Sequence, residues 1–402
     1  MKKLIALTLV LLFAVYTLAG CAGQPAADAQ QPVADTPATS GGEDEILIGG
    51  LFNLTGDQAS LDNPAMKAAQ LAVKQINEAG GINGKQIKYI IENCQTDQTA
   101  STNAAEKVIS VDKVDAIVGL SDSTFVLAAG AIAQKNNIPF IEIGGTMPGL
   151  PDQVGDVLYM ACFGDNVQAY AGVDFAVKEL GAKTAWLFID TATDYTVTLG
   201  KHYKERFTEL NGEGSVLMED TYQTSDVDFK AQISRLKALK TQPDVLLITA
   251  DPSATGLIVK QIREMGIDTP IIGGDGFDTP VLIETAGELA TDVYFTTHIA
   301  FTDSNEVVQK FIADYKAEYG VEPETSFAGL GYDAMNLMAD AIRRAGSLDH
   351  DAIKKAIGET TDLPGATGTL SFRNGSHVPT KAVTIMQIDK GQVSFVKQII
   401  PE

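Results

Sequence analysis

Asp275 stands between Gly274 and Gly276, directly after the apolar pair Ile271-Ile272. A carboxylate in a permissive turn at a strand end suits an ammonium group, although a solvated turn aspartate reads the same way. Two hydroxyl-bearing segments complement it. Leu120-Ser121-Asp122-Ser123-Thr124 follows Val118-Gly119 and leads into a helix-period run carrying Leu127 and Ile132. Ser123 and Thr124 either present hydroxyls beside the free N–H groups of a helix N-terminus, where a carboxylate is well held, or simply cap that helix. Gly144-Gly145-Thr146-Met147-Pro148 follows the apolar run 140–143. Its glycines let the backbone approach a ligand and Thr146 adds a donor, and an ordinary turn accounts for the same residues. Donors for an anion thus come from the first half of the chain and an acceptor for a cation from the second. An α-amino acid carries both charges two bonds apart, so a cleft of this polarity would orient it without any catalytic group.

The elements that must position these residues alternate almost without a break, short apolar runs with helix-period segments, which is the signature of βαβ units on a parallel sheet. Strands are predicted at 46–48, 87–91, 116–119 and 140–143, with helices at 64–79, 104–111 and 124–135. The rhythm repeats with helices at 169–180, 197–210, 229–239 and 254–265 and strands at 185–189, 215–218, 245–248 and 270–272. Helices at 307–319, 327–345 and 352–357 follow, then strands at 383–388 and 393–399 that read as a late antiparallel addition. The fold class is α/β, two doubly wound parallel-sheet lobes with the ligand cleft between them. All three chemical segments fall just past predicted strand ends, the edge where open α/β sheets collect ligands.

A catalytic kit is not visible. The sequence contains no H-E-x-x-H, no P-loop and no G-x-S-x-G, and His202, His298, His350 and His377 have no metal-ligand spacing. Gly329-Leu330-Gly331-Tyr332-Asp333-Ala334 matches the dinucleotide fingerprint by letter. It follows Glu322-Pro323-Glu324-Thr325 where the fingerprint needs a strand, so no nucleotide site is expected there. The expectation is therefore a binding protein with no cofactor, no metal and no catalytic residues. An extracellular serine-dependent amidase or esterase with Ser123 as nucleophile is the competing class, and it needs a base that only His298 could supply.

The chain begins Met1-Lys2-Lys3, continues with an apolar run to Leu18 and reaches Leu18-Ala19-Gly20-Cys21. A basic start, about fifteen apolar residues and a small-residue cleavage point make a secretory signal, since a membrane span needs about twenty. Leu-Ala-Gly-Cys resembles a bacterial lipobox, in which the Cys21 thiol is lipidated and becomes the first residue. Residues 21–45 are rich in Ala, Gln, Pro, Asp and Thr and cannot bury enough surface to offset chain entropy, so they read as a disordered tether. The formal net charge is −22, from 30 Lys and Arg against 52 Asp and Glu. Such a surface repels phosphate backbones and anionic lipid, so no nucleic-acid partner is expected and the membrane is reached through the anchor alone. Cys94 and Cys162 could pair outside the cytoplasm or stand as separate core residues.

Leu54-Thr55-Gly56 after the first strand, Ala69-Gln70-Leu71-Ala72-Val73, the run Ile76-Asn77-Glu78-Ala79-Gly80-Gly81-Ile82-Asn83-Gly84 and the stretch 273–276 together resemble the solute-binding proteins of ABC importers. The group is that of branched-chain amino acids (leucine, isoleucine and valine), with the type I periplasmic binding fold, and the similarity spans 46–400. The resemblance implies a monomer of two lobes, 46–163 with 298–371 and 164–297 with 372–402, joined by crossings near Phe163, Thr297 and Phe372 and closing around ligand. The signal is then 1–20. By position, Ser123 corresponds to the carboxylate-binding serine, with Thr124 beside it, and Thr146 to a second hydroxyl donor. Gly144 matches the carbonyl that accepts from the ammonium, Asp275 its acidic partner, and Tyr195 the tyrosine of a Tyr-Gly segment in which Thr196 replaces glycine here.

Departures fall on the side-chain pocket. Leu61 stands where the family often has an aromatic, Ser121 with Asp122 replaces an apolar or small pair, Glu142 with Ile143 replaces Ser-Pro, and Asp251 replaces an aromatic or small residue. If Asp122 or Asp251 points inward, a polar or cationic ligand side chain suits the pocket better than a greasy one; otherwise both face water at the rim. The expected function is capture of an amino acid and delivery to an ABC permease, with a sensory receptor as an alternative use of the same cleft. Metabolic labelling with a fatty acid is expected to mark the mature protein and to leave Cys21→Ala unlabelled; an unlabelled parent would make it a freely diffusing receptor.

Overall fold

The computed structural model describes residues 45–400. The expected signal, Cys21 and most of the tether lie outside the described residues. The first lobe opens with β1 (Glu45–Phe52), α1 (Ala59–Glu78), β2 (Gln86–Asn93), α2 (Gln98–Glu106), β3 (Ala116–Ser121), α3 (Ser123–Lys135), β4 (Phe140–Gly144), α4 (Leu150–Val154) and β5 (Leu158–Met160). These strands form one parallel sheet in the order β2-β1-β3-β4-β5. Every residue of β3 and β4 is buried, as central strands covered on both faces require. Helix α1 forms because Leu61, Ala65, Ala68, Ala72 and Ile76 recur at helical spacing on its buried side, and it stops at Gly80-Gly81, both at positive φ.

The second lobe contains α5 (Asp165–Lys178), β6 (Ala185–Asp190), α6 (Asp194–Asn211), β7 (Val216–Tyr222), α7 (Lys230–Lys237), β8 (Val245–Thr249), α8 (Pro252–Glu264), β9 (Ile271–Gly273), α9 (Pro280–Ala286) and β10 (Val293–Thr297). The chain then runs through α10 (Glu306–Tyr319), α11 (Phe327–Ala345) and α12 (His350–Gly358) before β11 (Val383–Asp389) and β12 (Gln392–Ile399). The second sheet has the order β12-β11-β10-β9-β8-β6-β7, and β11 is antiparallel to both its neighbours. Leu330, Met335 and Met338 of α11 and Ile353 of α12 share the core of the first sheet, whereas Ile385 and Ile388 of β11 belong to cores of the second.

The α/β class, the parallel sheets and the antiparallel addition agree with the sequence reading. Four elements were not expected from it: α4, β5, α9 and β10. The helix expected over 104–111 is instead α2, ending at Glu106, followed by a π-helical turn at Lys107–Val111. Cys94 and Cys162 are both free and buried in the first core, so the open question of pairing resolves as two separate thiols.

The fingerprint match 329–334 lies inside α11. Gly331 faces α1 so closely that a Cβ there would stand 2.2 Å from the Ala65 carbonyl oxygen. Asp333 accepts from the N–H groups of Ala366 (2.6 Å) and Thr367 (2.8 Å), which makes it a brace for a neighbouring loop. The spacing therefore serves helix packing. Gly331→Ala is expected to destabilise the protein by about 1–3 kcal/mol through overpacking; the check is the urea midpoint at unchanged m, and an unaltered midpoint would mean that α1 and α11 separate freely.

Candidate functional site

Each sheet reverses its strand order once: between β1 and β3 in the first, and between β6 and β8 in the second. The segments after these strands carry the cleft residues, as the switch-point rule for open sheets requires. Asp62 holds the first switch point together. Its buried carboxylate accepts the N–H of Asn53, just past β1, at 2.5 Å and that of Ser121, ending β3, at 3.1 Å. Burial pushes its carboxyl up to about 6. The turn beyond is strained: Leu120 and Asp122 have φ of 61° and 65°, a region that L-residues seldom adopt and that costs about 1–3 kcal/mol each.

A tight cleft, with free space of only about 10 Å³, is lined by Gln58, Leu61, Ser121, Asp122, Gly144, Tyr195, Pro252, Asp275, Gly276 and Phe327, drawn from both lobes. Of the residues singled out in the sequence, Leu61, Ser121, Asp122, Gly144, Tyr195 and Asp275 line it directly. Gly144 must be glycine, because a Cβ would sit 2.4 Å from the Phe327 ring. Ser123, Thr124, Thr146 and Asp251 are buried but are not in its lining. Ser123 Oγ accepts the N–H of Met147 at 3.0 Å, tying the β3–α3 turn to the segment after β4, and keeps its own proton for donation. Thr124 Oγ1 accepts the N–H of Asp194 at 2.9 Å, a bond between the lobes. Thr146 Oγ1 is buried without a partner. Tyr195 Oη accepts the N–H of Gly276 at 3.0 Å, so its hydroxyl proton is also free.

Asp275 is held by two donors, Gln168 Nε2 at 3.0 Å and His298 Nε2 at 3.1 Å. Gln168 Nε2 also donates to Asp165 at 2.9 Å, so one carboxamide spans two carboxylates. Burial and the nearby Asp275 charge push the Asp165 carboxyl well up. Burial lowers His298 and keeps it neutral; its Nε2 carries the proton toward Asp275, and its ring stacks on Phe163 with centroids 4.1 Å apart. Ser123 and His298 are therefore each bonded elsewhere and do not form a nucleophile–base pair.

A second glutamine does the same at the other end of the cleft. Gln58 Nε2 donates to Asp251 of the second lobe at 3.0 Å and to Asp122 of the first at 3.3 Å. Both aspartates are buried, Asp122 in the cleft wall and Asp251 behind Gln58 and next to Pro252, so neither lies at a solvated rim. Burial pushes Asp122 up to about 7, and burial together with the Asp122 and Asp190 charges pushes Asp251 well up.

Gln58, Gln168, Asp165 and Phe327 escaped the sequence reading. Pairing of an amide with two distant carboxylates leaves no local pattern, and neither Gln58 nor Asp165 lies close to a predicted strand end. Glu142 has a structural part: its carboxylate takes the N–H groups of Gly145 and Ala161 and the Cys162 thiol, fixing the Gly144-Gly145 turn.

Comparison with known proteins adds a second line. The sequence profile described as periplasmic binding protein matches residues 45–392. Among curated relatives, Leu/Ile/Val-binding protein homolog 3 of Brucella melitensis is 24% identical over 352 residues, 87% of this chain and 93% of the relative. Leu/Ile/Val-binding protein homolog 1 of Brucella suis is 28% identical over 332 residues, 82% of this chain and 86% of the relative. The leucine-binding protein LivK of Thermotoga maritima superposes with a TM-score of 0.81 at 33% identity, covering 89% of this chain and 99% of that one. The branched-chain amino acid substrate-binding protein LivJ of Streptococcus pneumoniae, solved with isoleucine, gives 0.82 at 32% identity, covering 89% of this chain and all of that one.

Glu142 generates a pH dependence. Burial raises its carboxyl from 4.5 to about 8, so the folded protein holds this proton more tightly than the unfolded chain. Its contribution is full below about pH 4.5 and is lost as pH rises through about 8, by up to about 1.4 kcal/mol per pH unit. Urea unfolding across pH 5–8 should show stability falling with pH, and a shallower fall in Glu142→Gln; parallel slopes would remove Glu142 from the account.

Proposed function

The chain belongs to the periplasmic binding protein family, and from that membership we propose that it captures an amino acid between its lobes and hands it to the permease of an ABC importer. The observation that carries this reading is the polarity of the cleft. The hydroxyl proton of Tyr195 in the lining suits a carboxylate, with those of Ser123 and Thr146 buried outside it and N–H groups at the start of α3 in support, while Asp275 and the Gly144 carbonyl suit an ammonium. The lobes are taken as 46–163 with 298–371 and 164–297 with 372–402, hinged at crossings near Phe163, Thr297 and Phe372. The protein works outside the cytoplasm as a monomeric receptor without catalytic activity, fastened to the membrane by lipidated Cys21. A tether of residues 21–45 would span roughly 25–30 Å, keeping the receptor near its permease by effective concentration.

Amino acids tested in a thermal-shift screen should raise the melting temperature, since a ligand at about 100 times its Kd stabilises by about 2.7 kcal/mol. Asp275→Ala should lose about 3–5 kcal/mol of binding by calorimetry, because the ammonium loses a desolvated partner. A screen in which no amino acid shifts the melt would reject the function; unchanged affinity in Asp275→Ala would reject the clamp.

A further inference from the structure

Resting on the amino-acid reading, we propose that the captured amino acid carries a cationic side chain, received by Asp122 from the first lobe and Asp251 from the second. The argument is one of charge and of protons. A zwitterion brings one positive and one negative charge, and Asp275 with the hydroxyl donors accounts for both. That leaves Asp122 and Asp251, and among the described residues lining the cleft none is Lys, Arg or His. The charges that act on this pair come from Asp194, Asp190 and Asp57, all carboxylates, and from each other.

Hydrogen-bond donors are equally short. Gln58 Nε2 has two protons and both go to the pair, while the single Thr224 hydroxyl proton lies within reach of both Asp251 and Asp190. Asp122 receives one further N–H, from Thr124 at 2.8 Å, and the Thr124 and Thr193 hydroxyls lie within its reach as well. An ionised carboxylate accepts about four hydrogen bonds, so Asp251, met only by Gln58 and a shared Thr224 hydroxyl, stays under-satisfied with protein donors alone. The Gln58 nitrogen, 3.0 and 3.3 Å from the two carboxylates, marks where a single nitrogen can meet both lobes. Ser121, 1% exposed, lines the same space, and its Oγ has the Asp62 carboxylate within reach but no well-formed hydrogen bond, so its proton is not firmly committed. A neutral aliphatic side chain would seal this set away from water with no counter-charge, which is unfavourable for buried carboxylates. An ammonium or guanidinium supplies both the charge and the missing N–H donors.

Calorimetry of the purified protein with L-lysine, L-arginine, L-leucine and L-norleucine tests this. Norleucine matches the lysine stem without its charge. Lysine or arginine should bind at least about 100-fold more tightly than norleucine or leucine. Asp251→Asn should remove most of that preference while leaving norleucine affinity unchanged or improved. Asp122→Asn should do the same, and asparagine can still accept from Thr124 and tolerate the positive φ, so the fold is retained. Leucine or norleucine binding as tightly as the basic amino acids would overturn the inference and leave the amino-acid reading standing. Binding of none of the four would overturn the inference, and the amino-acid reading would fall only with the full thermal-shift screen.

Discussion

Carboxylates taken out of water govern this molecule. Asp62, Asp122, Glu142, Asp165, Asp251 and Asp275 are all nearly inaccessible to solvent. None of them is paired with a lysine or arginine, although such pairs are common on the surface. An unpaired buried charge is severely penalised, so each must be met by oriented dipoles or keep its proton. The fold supplies those dipoles from places that only tertiary structure brings together. Asp62 takes N–H groups from the ends of two strands, Glu142 takes them from the segments after β4 and β5, and the cleft aspartates take them from two glutamines and a helix N-terminus. The cleft is consequently an acceptor-rich space with few donors, and its shape cannot be separated from that imbalance.

The two switch points put the imbalance where ligand must enter. Gly119 allows β1 and β3 to approach so closely that a Cβ would stand 2.0 Å from the Leu51 carbonyl oxygen. Strain at Leu120 and Asp122 follows immediately, and it persists because the buried Leu120 side chain and the Asp62 bonds leave the turn no alternative. A strained turn held in this way presents Ser121 and Asp122 at fixed positions, which limits the freedom lost when a ligand docks.

Much of the fold was legible because parallel sheets advertise themselves: β3, β4 and β8 are uninterrupted apolar runs, and α1 repeats at helical spacing. Strand β10 was missed although Val293-Tyr294-Phe295-Thr296-Thr297 is built of β-branched and aromatic residues that favour strands, and its pairing between β9 and β11 decides the matter. Six cleft residues, Leu61, Ser121, Asp122, Gly144, Tyr195 and Asp275, were found through strand ends and family resemblance. The glutamine bridges were not legible, since Gln58 and Asp251 are 193 residues apart and only the tertiary fold brings them within 3.0 Å. The letters of the dinucleotide fingerprint misled in the opposite sense, because glycine spacing within a helix also serves close helix packing.

Closure and specificity draw on the same groups. The lobes are joined across the cleft by Thr124 with Asp194, Ser60 with Thr279 and Gln58 with Asp251. The first two are neutral acceptors meeting a backbone amide and a hydroxyl, each worth about 0.5–1.5 kcal/mol net. Against them stands the approach of Asp251 toward Asp122, like charges that lose their hydration as the lobes meet. That approach is unfavourable for two ionised carboxylates unless one takes up a proton or a cation joins them. A ligand that brings positive charge reverses the sign of that contact and makes it favour the closed form. Its differential affinity for the closed state is then set largely at the side-chain end of the cleft, while the zwitterion clamp fixes orientation.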